Sequence, residues 1–163
     1  MPHRELLRDT LREVLYGPAG LRGLFSGPGA GLLHAAHAFT AAQARAPQPG
    51  QPSVAARVMA LRQTLQLTAA TLGDPHALLS DPTDPHTWAP ADDAAWRAEL
   101  VALAAAGQAL YDALYRPLEA GGLREAHGAV VQAAREAAVL RFIRDTLPGG
   151  EAGGQEQGER RTS

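Results

Sequence analysis

Asp92-Asp93-Ala94-Ala95-Trp96, followed by Leu100, Leu103, Gly107, Leu110 and Leu114, is the stretch on which the fold turns. Its apolar positions recur every three or four residues, the spacing that lines side chains along one face of an α-helix. Asp92 or Asp93 supplies the oxygen that caps the first free N–H groups of such a helix. Working toward the N-terminus, Val54, Val58, Leu61, Leu65 and Leu72 keep the same spacing behind an N-cap at Ser53, and Gly73 stops that helix. Leu7, Leu11, Val14 and Leu15 form a third stripe on residues 4–16, beside a row of Arg4, Arg8 and Arg12, and Gly17-Pro18 ends it. Residues 32–45 read as another helical segment, which carries His34 and His37. Toward the C-terminus, Pro117 and Gly121-Gly122 separate off a last helix over residues 123–147, closed by Pro148-Gly149-Gly150. No segment alternates apolar and polar residues as a half-buried strand would.

The connections between these helices are long. Residues 21–31 are broken by Gly23, Gly27, Pro28, Gly29 and Gly31, residues 47–52 carry three prolines, and residues 73–91 hold prolines at 75, 82, 85 and 90. Such crossovers fit an all-α bundle with long connections better than an up-and-down bundle with tight turns. Residues 1–148 read as a single domain, and 149–163, without an apolar anchor, as a disordered tail.

Composition removes whole classes of function. The 163 residues include no cysteine, so disulfides, thiolate metal sites and thiol nucleophiles are excluded. All fifteen basic residues are Arg, Lys and Asn are absent, Ile143 is the one isoleucine, and Ala fills 34 positions. That bias matches a GC-rich coding sequence, so the preference for Arg is not evidence of anion binding. A formal charge of −2 offers no general attraction for nucleic acid or acidic membranes. No apolar run reaches bilayer length and residues 1–5 lack a signal-peptide core, which points to the cytoplasm. Gly27-Pro28-Gly29-Ala30-Gly31 lacks the Gly-Lys-Ser/Thr ending of a phosphate loop, and no GxSxG is present.

From Ser53 onward the chain resembles the DinB/YfiT family of small bacterial four-helix-bundle proteins, whose name refers to induction by DNA damage. The resemblance rests on Ser53-Val54-Ala55-Ala56-Arg57-Val58-Met59-Ala60-Leu61-Arg62, on the loop with Trp88, on the helix start at Asp92–Trp96, and on the Ala-rich helix that ends Leu140-Arg141-Phe142-Ile143-Arg144. It covers roughly 95 residues as a pattern of lengths and apolar positions. Residues 1–52 resemble the family's first helix loosely, with 21–31 as an insertion. The family places a metal on three histidines, one from the second bundle helix and an HxxxH pair from the fourth, leaving an open position for water. Carried over, these positions are Ala60, Gln132 and Glu136, and none is histidine. No histidine lies between His37 and His76 or after His127, so no shift of register restores the set.

The resemblance therefore implies a member without its metal, acting without cofactor as a non-catalytic, stress-related protein that binds a small molecule or a partner. A homodimer is the expected partner, through a last helix apolar on two sides (Val130, Ala134 and Ala137; Val139 and Ile143). A buried Glu136 then requires a cation, which Arg57, Arg62 or an Arg of the first helix can supply. The alternative is a metal-dependent hydrolase or low-molecular-weight-thiol S-transferase that uses His34 and His37 as replacement ligands, with Glu136 as a third. Against it stands the plain reading of two solvated imidazoles on an Ala-rich helix. His76 and His86 follow Asp-Pro turns and need no ligand role. Trp96 lies on an apolar line and reads as core, whereas Trp88 reads as a lid on the end of the bundle.

Overall fold

The computed structural model describes residues 2–18 and 31–148. The expected break over 21–31, apart from Gly31, and the expected disordered tail lie outside them. All regular structure among the described residues is helical: α1 (Pro2–Tyr16), α2 (Leu32–His37), α3 (Ala41–Arg45), α4 (Val54–Thr71), α5 (Asp93–Ala113) and α6 (Ala120–Thr146). No helix among them is long and apolar enough to cross a membrane.

Local chemistry sets the helix starts. Ser53 Oγ accepts from Ala56 N at 3.1 Å and Asp92 Oδ1 from Ala95 N at 2.8 Å, each satisfying one of the N–H groups a helix leaves free at its start. Ser53→Ala is expected to lower stability by about 1 kcal/mol in urea denaturation, with an unchanged slope.

Two expectations need correction. Residues 32–45 do not form one helix. Thr40 and Gln43 build a capping box (Gln43 N to Thr40 Oγ1 3.2 Å, Thr40 N to Gln43 Oε1 2.9 Å) that starts a new helix. The break drives Phe39 into the core and frees its carbonyl to accept from Trp96 Nε1 at 3.0 Å. Ala41 N donates to Asp93 Oδ1 at 2.7 Å, which ties the start of α3 to the start of α5. Tertiary bonds thus outweigh the helix propensity of the alanines. Gly121 and Gly122 likewise do not separate elements, because α6 begins at Ala120 and takes both into its first turn. A Cβ on Gly122 would stand 2.9 Å from Leu72 Cδ2, so the glycine admits the end of α4.

α5 packs mainly on α4, and α6 lies against α1, α2 and α4. Leu11, Leu15, Leu32, Leu61, Leu65, Trp96, Leu100, Leu103, Leu110 and Leu140 fill the space between them. Two glycines permit the closest approaches. Leu15 reaches to 2.5 Å of where a Gly107 Cβ would be, and Gly31 sits on the end of α1 with Tyr16 C only 2.5 Å from the equivalent point. Arg8 clamps α1 to α5: its guanidinium carbon is 3.3 Å from the centre of the Tyr115 ring, and Nη2 donates to Tyr111 Oη at 3.0 Å.

Candidate functional site at the seam of α4 and α6

Helix periodicity fixes which groups meet here. Arg57 lies one turn before Ala60 on α4, and Gln132 lies one turn before Glu136 on α6. Glu136 is 9% exposed, and its carboxylate is held by Arg57, with Nη1 3.2 Å from Oε2 and 3.5 Å from Oε1. Arg57 Nη2 also donates to Gln51 Oε1 at 2.8 Å, which anchors the connector before α4. Arg57 Nε is buried without a hydrogen-bond partner. Ala60 and Gln132 are half-buried. Of the cations considered for Glu136, Arg57 is the one the structure brings to it.

Arg62 serves a different carboxylate. It is 4% exposed and donates from Nε to Glu99 Oε1 at 2.5 Å and from Nη1 to Gln66 Oε1 at 2.8 Å, with Nη2 3.6 Å from Asp81 Oδ2. Beside it, Gln63 Nε2 donates to the Thr83 carbonyl at 2.6 Å and the Asp81 carbonyl at 3.3 Å. These groups of α4 pin the strap, residues 73–91, at its middle. Burial pushes the Glu99 carboxyl above its ordinary value, partly offset by Arg62. Hydrogen bonds from the Thr83 side chain and backbone, with help from Arg62, hold Asp81 below its own. Sequence reading missed Glu99. The signal was its place three residues after Trp96 and four before Leu103, on the face that packs inward.

The histidines are dispersed. His34 and His37 are exposed on α2, and His76, His86 and His127 are exposed elsewhere. Among the described residues, no group of three or more His, Asp or Glu side chains is placed to hold a metal. Trp96 lies in the core. Trp88 is half-buried against the core and walls a groove of about 590 Å³ together with Gln51, Ser53 and His86. The second apolar side expected of α6 also shifts. Val139 and Ile143 are half-buried, and the apolar side chains exposed past the first turn of α6 are Val131, Ala138 and Phe142, the last 71% exposed.

No family model, curated protein or solved structure matches the chain.

Proposed function

We propose that the chain is a DinB/YfiT-like four-helix bundle in which an ion pair takes the place of the family's metal, and that it works without catalysis as a homodimeric, stress-related binding protein. The observation that carries this reading is the Arg57–Glu136 contact at 3.2 Å. A guanidinium there already neutralises the one carboxylate among Ala60, Gln132 and Glu136, and a divalent cation would have to displace it. The remaining donor, an amide, is a weak ligand for zinc or nickel.

Metal analysis of protein purified without a histidine tag tests the reading in both directions. The wild-type chain is expected to hold well under one equivalent of zinc or nickel. The triple variant Ala60→His, Gln132→His, Glu136→His is expected to bind zinc near stoichiometrically, because it supplies three imidazoles on facing helices. Near-stoichiometric metal in the wild type that disappears on His34→Ala/His37→Ala would overturn the metal-free reading. A triple variant that folds but takes up no metal would show that the family register has been misplaced.

The dimer is assigned to the outer face of α6. Val131, Ala138 and Phe142 recur at helical spacing on that exposed side, and Gly128 one turn earlier leaves open space above the backbone. Close approach of a second copy would bury this stripe in a two-fold interface. Phe142→Asp is expected to convert the dimer to monomer in sedimentation while leaving helix content unchanged. A wild-type monomer at all concentrations would overturn the assignment.

A further inference from the structure

A second groove, of about 420 Å³, runs between the C-terminal half of α4 and α5, away from the Arg57–Glu136 seam. Leu67 and Ala70 of α4 and Ala109 and Ala113 of α5 form its apolar walls, and strap residues 78–80 line it from outside. Leu78 is 87% exposed, the most exposed large apolar side chain among the described residues. It lies on the strap between two held points: Gln63 holds the Thr83 and Asp81 carbonyls, and Asp74 Oδ1 accepts from His76 N at 3.0 Å.

The groove also contains a charge to match. Arg116 stands at its end with no side-chain hydrogen bond or ion pair to another described residue, whereas Asp112 in the same lining already accepts from Gln108 Nε2 at 2.9 Å. The volume falls in the usual range for a small-molecule site. Gln66, Ser80 and Asp112 also line the groove, but its apolar walls and the unpaired Arg116 guanidinium suit a ligand that has an apolar body and one anionic end, and a carboxylate matches the donor fork of Arg. Ala109 and Ala113 lie one turn apart at the end of α5 and Arg116 follows just beyond it, so apolar and charged contacts line up along one wall, and the volume suits an acyl chain of medium length.

We propose that this groove binds a small amphipathic carboxylate, a medium-chain fatty acid in chemical class, with its chain against Leu67, Ala113 and Leu78 and its carboxylate on Arg116. Decanoate is the probe, titrated into the full chain by calorimetry and followed by the methyl NMR signals of Leu67 and Leu78. Saturable one-to-one binding is expected. Arg116→Gln should weaken decanoate about tenfold, the worth of one charge-assisted hydrogen bond, while changing affinity for 1-decanol by less than about twofold. Leu78→Asp should weaken both ligands. Both positions are exposed, so an unchanged urea midpoint verifies that the variants are folded. Three results would each overturn the proposal: no saturable binding up to millimolar decanoate, equal affinity in the Arg116→Gln protein, or a dimer that Leu78→Asp dissociates, which would give the groove to a second copy. Neither side chain touches Arg57 or Glu136, so these outcomes are independent of the metal test.

Discussion

Glu99→Ala should be among the most damaging single changes in the molecule, lowering unfolding free energy in urea by about 3 kcal/mol or more. The cause is what remains. Arg62 stays buried between α4 and α5 with its charge, and of its partners only Gln66 and the more distant Asp81 survive. Asp81 at 3.6 Å is half exposed, so it offsets part of the loss and keeps the cost near the lower end for a broken buried pair. Replacing both partners with apolar residues of similar size, Arg62→Met with Glu99→Leu, should recover most of the stability, since neither charge is then buried alone. A single Glu99→Ala protein as stable as the wild type would mean that water reaches Arg62. The pH dependence follows from the same site. Because folding raises the Glu99 pKa, the folded chain holds that proton more tightly than the unfolded one. Its contribution is complete below the unfolded value and is lost as pH rises through the folded value. Asp81 behaves oppositely: its depressed pKa contributes above the unfolded value, and that contribution is lost as pH falls through the folded one. A side-chain carboxyl titration by NMR should place Glu99 above and Asp81 below their ordinary positions.

Trp96→Ala should cost about 3–5 kcal/mol, the range for removing a large aromatic from a packed interior. Trp96 is fully buried, and its indole N–H is the partner of the Phe39 carbonyl, which the substitution would leave without that donor. A fall in melting temperature on the order of 10 °C is expected for a chain of this length. Trp96→Phe separates the two causes: it keeps most of the volume and removes the hydrogen bond, so its smaller loss measures the bond and the residual gap together. If Trp96→Phe and Trp96→Ala were equally harmful, packing would not be the main contribution.

The helices were legible wherever apolar spacing and an end signal agreed. Ser53, Asp92 and the line from Trp96 to Leu114 told the same story at every level, and α4 and α5 lie where they indicate. Legibility failed where a long-range contact decided the matter. Nothing near Phe39 announces that its carbonyl will meet an indole 57 residues away, and that contact accompanies the break between α2 and α3. Gly121-Gly122 look like punctuation until Leu72 is placed beside them. At the seam, the need of a buried Glu136 for a cation could be read from the chain, but the choice of Arg57 over Arg62 could not. It depends on which side of α4 faces α6 and which faces α5. Glu99, hidden among apolar neighbours, claims Arg62.

Gly31 carries a consequence for the evolution of the chain. A Cβ there would stand within 2.8 Å of Tyr16 C, Gly17 N and the Leu15 carbonyl oxygen, so the start of α2 rests on the end of α1 backbone to backbone. Backbone atoms cannot swing aside as a side-chain rotamer can, so even an alanine at this joint would push the two helices apart. Position 31 is thus closed to drift: any change there must be matched by a shift of one helix against the other.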